Sequence, residues 1–376
     1  MSLPARSLCA TLSLCVVLAL LGCESKEAPN HGDWTVLDEE VSLTEDLRVS
    51  ETEDFFFGAI ADLDVTADGH LLVADREASN VKVLRPDGTL LDTLGGPGEG
   101  PGEFEQLTSV QLARGDSIYA HDVQRFQLTV FAPPPALEVA RTVTFPREDG
   151  YAVQVWTLDD EFTVEFAQSG SAPEEGVSRR SPRVWRQVSD AGTPRDTLMQ
   201  GPGWKTAVVA QNGGFRLRTV PFARRMIATL GPDEVLYQGW TDSLTVRAVS
   251  VNGSSSTVAS IPTDPVPLTD AARDSALSDV SDEMRPVVAS GLPDTKPTFT
   301  DLVVAADGRL WVKRPVEAPD AESADWWILD SEAKTIQKAQ LPPEVDLEVV
   351  RDNMAYGTTT TEAGAPAVVR YRIATE

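Results

Sequence analysis

The stretch DLDVTADGHLLVADREASNVKVLRPDGTLLDTL, Asp62–Leu94, holds four short apolar runs punctuated by the turn pairs Asp68-Gly69 and Asp87-Gly88. Alternating apolar and polar residues mark strands, and Asp-Gly between two such runs marks a tight hairpin. Displaced by 47 residues, SVQLARGDSIYAHDVQRFQLTVFAPPPALEVARTV, from Ser109, repeats the pattern. Asp75 falls on Asp122, Val81 on Leu128, Val83 on Val130 and Leu84 on Phe131. VWRQVSDAGTPRDTL, from Val184, echoes VKVLRPDGTLLDTL, and DLVVAADGRLWVK, from Asp301, repeats the first turn at Asp307-Gly308.

Four strands per unit, at a period of roughly 40–50 residues, specify an all-β propeller of four-stranded antiparallel blades. Units fall near 58–95, 105–145, 150–200, 222–262, 297–341 and 345–373, which predicts six blades. Seven is the alternative if 201–221 is a degenerate blade. An open ring would leave unpaired strand edges at both ends. Trp34–Val36 or Leu47–Val49 is therefore expected to supply the strand that closes the last blade.

Asp68-Gly69, Val73-Ala74-Asp75, Asn80, Asp87-Gly88 and the Gly-Pro-Gly-Glu run resemble six-bladed propellers of the NHL-repeat type, and more narrowly exported bacterial propeller lipoproteins. The resemblance is close in the first unit, fair in the second and fifth, and weak elsewhere. It implies a fold and a cell-envelope location but no activity, since such folds host many functions.

In this frame GGPGEGPGEF, Gly95–Phe104, is the crossing from the rim of one blade to the hub of the next. Its prolines stiffen the path and its glycines permit a sharp return. A phosphate cradle would need Lys-Ser or Lys-Thr and a following helix, whereas the only charges here are Glu99 and Glu103. Longer crossings are expected at 201–221 and 262–297. The latter contains LTDAARDSALSDVSDEMRP, with Ala272, Ala276, Leu277, Val280 and Met284 at helical spacing. One helix is predicted there, capped by Thr269 and stopped by Pro286, as a lid on the propeller face.

The N-terminus carries an address. Arg6 precedes an apolar run, Leu8–Leu21, of a length suited to a signal segment and short for a membrane span. Leu20-Leu21-Gly22-Cys23 resembles the lipobox of bacterial lipoproteins, which implies lipidation of Cys23. The expected organisation is a signal peptide at 1–22, a polar tether at 23–33 and a single propeller domain at 34–376, anchored in the envelope through lipid. Outer-membrane placement, facing periplasm or exterior, is expected because Glu24 stands where inner-membrane retention usually has aspartate. All three cysteines, Cys9, Cys15 and Cys23, lie in this region, so no disulfide is expected in the folded body. A formal net charge of −26 argues against nucleic acid as a partner.

Arg216, Arg218, Arg224 and Arg225 crowd into ten residues of this acidic chain and are candidates for bidentate binding of an anionic ligand. The plainer reading is neutralisation of nearby carboxylates. Trp204, Lys205, Trp240 and Arg314 are expected on the same face. His121 is a further candidate at the channel mouth. Asp75 and Asp122 sit at matching positions and read as turn-forming acids. There is no HExxH or GxSxG, so neither a histidine metal site nor a serine nucleophile is expected. The reading is a binding or scaffold module for a protein, peptide or glycan, with no catalytic residues, cofactor or metal assigned. The alternative is a divalent-metal-dependent lactonase or lyase at the channel mouth.

Overall fold

A computed structural model describes residues 31–375 apart from 148–149, 159–160, 169–175, 212–213 and 233. Cys23, the signal segment and most of the tether lie outside the described residues. Strand β1 (Thr35–Val49) comes first. Two four-stranded meanders follow: β2 (Ile60–Val65), β3 (Leu71–Asp75), β4 (Asn80–Leu84) and β5 (Leu90–Gly95), then β6 (Leu107–Leu112), β7 (Ile118–Asp122), β8 (Gln127–Phe131) and β9 (Val139–Thr144). The third sheet has five strands, β10 (Tyr151–Leu158), β11 (Glu161–Ala167), β12 (Ser178–Val188), β13 (Pro194–Gln211) and β14 (Gly214–Thr219). The fourth has β15 (Met226–Leu230), β16 (Leu236–Trp240), β17 (Leu244–Val249) and β18 (Ser255–Ile261). Helices α1 (Asp270–Leu277) and α2 (Arg285–Gly291) intervene. The chain then forms β19 (Asp301–Val304), β20 (Leu310–Lys313), β21 (Ala324–Asp330) and β22 (Thr335–Leu341), and finally β23 (Asp346–Arg351), β24 (Met354–Thr360) and β25 (Pro366–Thr375).

This is an all-β propeller with little helix. The first strand of each meander faces a common axis: β2 neighbours β6 and β23, β6 neighbours β10, and β19 lies between β15 and β23. Sheets pack face to face around that axis through apolar layers. Leu72, Val81 and Val83 of the first sheet meet Val110, Ile118 and Phe131 of the second, for instance. Trp185, Trp311 and Trp326 are almost fully buried within such layers.

Closure uses both N-terminal segments named from sequence. Thr35–Val41 runs parallel to the outer strand β22, from Thr35↔Thr335 to Val41↔Ala339. Val41–Val49 runs antiparallel to β25, ending at Val49↔Val368. The eight-stranded sheet β19-β20-β21-β22-β1-β25-β24-β23 is therefore two meanders joined through one long strand. Trp34 and Val49 are buried at the two ends of this strand, and Val41 at the switch between its partners.

Asp75 and Asp122 perform the same task in successive units. Asp75 accepts from the amides of Gly58 (2.9 Å) and Ala59 (3.1 Å), from those of Glu77 and Ala78 (both 3.2 Å), and from Lys82 Nζ at 2.8 Å. Asp122 accepts from Glu105 (2.6 Å) and Arg125 (2.9 Å). Each acid ties the arriving crossing to the turn after the second strand. Gly95–Phe104 folds on itself, with Gly96 O accepting from Phe104 N at 2.8 Å, while Arg125 donates to the carbonyls of Glu99 and Glu103. At Gly95, with φ 79°, an added Cβ would lie 2.4 Å from the Phe104 ring, so this return requires glycine.

Two expectations about the crossings need correction. The described residues of 201–221 form neither a loop nor a blade of their own: they are mostly the end of β13, to Gln211, and the whole of β14, which pair antiparallel on the third sheet. The 262–297 crossing holds two short helices rather than one. Thr269 caps α1, its hydroxyl accepting from Ala272 N at 3.2 Å, but Pro286 opens α2 instead of ending α1. Among the described residues no helix is long and apolar enough to cross a membrane.

Candidate functional site

Period-two side-chain alternation decides what the hub contains. In β2, Leu63 and Val65 turn into the sheet-to-sheet core, so Asp62 and Asp64 turn toward the axis. There they line a cavity of about 730 Å³, with Thr108 of β6, Gln154 of β10, Asp301 of β19 and Glu348 of β23. Arg225, directly before β15, and Trp204 of β13 reach the same space.

An innermost strand has a free edge whose amides need acceptors. Asp62 Oδ2 takes the Val110 amide at 3.0 Å, and Asp64 Oδ2 takes that of Leu112 at 2.8 Å, stitching β2 to β6. The second oxygens accept from Leu63 (3.0 Å) and Val65 (2.7 Å). Burial still dominates. It pushes Asp62 up to about 7, with Asp64 adding repulsion, and Asp64 up to about 6, against the pull of Arg351. Asp301 is raised by burial, and Arg225 opposes the shift. Glu348 is raised well above the carboxylate range by burial and by the carboxylates of Asp62, Asp301, Asp346 and Asp64. Its side chain is exposed to the channel, yet protein walls enclose that channel, so accessibility and poor hydration coexist.

Arg225 is the cationic counterpart. Its Nη2 donates to Thr300 O at 2.6 Å, and its guanidinium lies 4.2 Å from the Trp204 ring centroid. Burial lowers its pKa, opposed by Asp301, Asp346 and Glu165. Glu165, itself raised by burial, is held by Arg183 at 3.2 Å and by the field of Arg225. The hub thus presents several poorly solvated carboxyl groups beside one guanidinium stacked on an indole.

The residues named from sequence separate in space. Trp204 and Arg225 come together in the channel. Arg224 instead pairs with Asp242 at 3.0 Å and binds Thr295. Arg218 makes two 3.0 Å bonds to the carboxylate of Asp279. Lys205 Nζ donates to Gly291 O at 2.8 Å. Arg314 donates to Thr298 O and stacks 4.4 Å from the Trp327 centroid, its pKa lowered by burial to about 10. Trp240 receives the Arg180 guanidinium at 5.2 Å. Arg224, Arg218 and Lys205 thus fasten the long crossing to the sheets. Arg216 lies exposed on β14.

His121 is not at a channel mouth. It is fully buried beside Phe145, with Nδ1 3.3 Å from the Thr108 hydroxyl, and burial lowers its pKa to about 4. It is a neutral core histidine.

The channel acids were missed although a signal for them exists. Asp62-Leu63, Asp301-Leu302 and Asp346-Leu347 place the same Asp-Leu pair at or near the start of three inner strands. A repeated charge at the start of a strand that faces the axis points into the hub. Asp346 departs from the pattern by pairing with Lys313 at 3.0 Å. Among the described residues no three His, Cys, Asp or Glu side chains converge as a metal ligand set.

Residues 44–132 match a family model, DUF5128, described as a 6-bladed beta-propeller. No curated protein sequence matches the chain. Among solved structures, a Bacteroides fragilis protein described as exported is similar over 90% of this chain and 98% of its own, at 12% identity and a TM-score of 0.58. A duf4221-family member from Bacteroides vulgatus covers 90% and 99%, at 8% identity and a TM-score of 0.53. Virginiamycin B lyase from Staphylococcus aureus is a more distant likeness, at 11% identity and a TM-score of 0.46 over 89% and 99%. At these identities the shared property is the propeller fold.

Proposed function

We infer that this is an exported propeller binding module, tethered to the envelope through lipid on Cys23, whose ligand enters the axial channel. The eight-stranded sheet is counted as two blades sharing β1, giving six in the ring, of the NHL-repeat type. The ligand is a peptide or glycan presenting a cationic, donor-rich group such as an amine. One observation carries this reading: a cavity of about 730 Å³ keeps Asp62, Asp64, Asp301 and Glu348 facing one another with too few donors to hold them all ionised. Retaining such groups is costly to an empty fold, and a ligand supplying positive charge offsets that cost. Trp204 over Arg225 offers a flat surface for the rest of the ligand.

The test is calorimetric titration with lysine-bearing peptides and amino sugars at pH 7.5, against their acetylated counterparts. The amines are expected to bind, and Asp301→Asn with Glu348→Gln to weaken them at least tenfold without lowering the melting temperature. Equal binding of amine and acetylated forms, or of native protein and double variant, overturns the reading. Melting that rises with Ca²⁺, Mg²⁺ or Zn²⁺ and falls with chelator would favour the metal-dependent lactonase or lyase alternative instead.

A further inference from the structure

Strand β14 ends the third sheet, and among the described residues no strand pairs with its outer edge. It pairs with β13 without a bulge, from Thr206↔Thr219 to Gln211↔Gly214, and contains no proline. Edge strands are usually blunted by prolines, bulges, charges or cover, because their free amides and carbonyls recruit other chains. β14 carries charge, but Phe215 and Leu217 are 49% and 50% exposed on the alternate face, which edge protection does not explain.

The electrostatics of the surrounding segment are inverted relative to the molecule. Residues 178–225 contain ten Lys and Arg against two Asp, in a chain of net charge −26. Most of these bases are held within the protein. On β14 itself, Arg218 is engaged by Asp279, whereas Arg216 has no side-chain partner among the described residues. Arg216 and Arg218 share one face of the strand, and Phe215 and Leu217 share the other.

We propose that the outer edge of β14 docks an extended segment of a partner protein in which acidic and apolar side chains alternate, adding it to the third sheet as a further strand. Main-chain hydrogen bonds to Gly214–Thr219 supply the register. Directly opposed side chains then set apolar residues against Phe215 and Leu217, and a carboxylate against Arg216, while Arg218 stays with Asp279. The long acidic remainder of the surface repels the same segment elsewhere, which confines it to this edge. This surface is separate from the channel and does not depend on a ligand there.

The test uses the whole mature chain and an acetylated octapeptide of alternating Glu and Val, read by fluorescence polarisation and by amide exchange at 214–219. A Lys-Val octapeptide and a Glu-Val octapeptide methylated on alternate amides serve as controls. The Glu-Val peptide is expected to bind, to slow exchange at 214–219, and to lose at least tenfold in affinity on Arg216→Glu or between 50 and 500 mM NaCl. The controls are expected not to bind. Equal binding by the Lys-Val peptide, or undiminished binding to R216E, overturns the proposal. Unchanged exchange at 214–219 in the native protein does the same without relying on any variant. Slowed exchange that grows with protein concentration in the absence of peptide would assign the edge to a second copy of the chain and also overturn it.

Discussion

A carboxyl group that keeps its proton to neutral pH makes the folded state sensitive to base. Unfolded, Asp62 ionises near its ordinary 3.8; folded, burial moves this to about 7. Between those values the native state holds the extra proton, so its contribution to stability is complete below pH 4 and lost as pH rises through 7. His121 acts in the opposite sense: with its pKa lowered to about 4, the unfolded chain binds the extra proton between pH 4 and 6.5, and stability falls on acidification. Asp62→Asn keeps an oxygen to accept the Val110 amide and removes the charge. It is expected to stabilise the protein by roughly 1–2 kcal/mol at pH 8 and to have little effect at pH 4, measured by urea unfolding at both values. A uniform effect across pH would mean that Asp62 does not titrate as a poorly hydrated group.

The helical crossing shows what a pattern of residues conveys about an element. Thr269 and the apolar stripe were legible, and Val280, Met284 and Val288 do pack with Ala207 and Val220 of the third sheet region. The break between helices was not. Pro286 suits the first turn of a helix as well as a position beyond its end, and the turn is fixed by Arg285, which donates back to the carbonyls of Leu277 and Val280. Such side-chain donors leave no periodic trace. Likewise Gly201-Pro202-Gly203 looks like a loop, yet β13 carries it through by register shifts opposite Pro182. Thr269→Ala is expected to cost about 1 kcal/mol and to speed amide exchange in α1 while leaving the β strands protected. Loss of protection throughout the molecule would show that the crossing is integral to the ring and not a separable layer on it.

At the scale of the whole molecule, circular repetition was legible because each unit carries its own turns and apolar runs, and the need for closure followed from edge chemistry. The channel was far less so. Asp62, Asp301 and Glu348 meet only because successive inner strands converge on one axis, whereas Arg218 and Arg224, close in sequence, diverge onto Asp279 and Asp242. Deleting residues up to Val49 removes the strand shared by β22 and β25. The shortened chain is expected to lose cooperative thermal unfolding and to aggregate through the bared edges, and a synthetic Trp34–Val49 peptide should restore the transition. Cooperative melting of the shortened chain alone would refute a sealing role. The same joint sets an order of events in biogenesis. Synthesis from the amino end presents β1 while both of its mates are still to come, and the pairing of Val41 with Thr375 joins segments far apart in the chain. Closure of the ring is therefore a late step, slow in the manner of distant pairings, and the waiting strand stays unpaired in the interval.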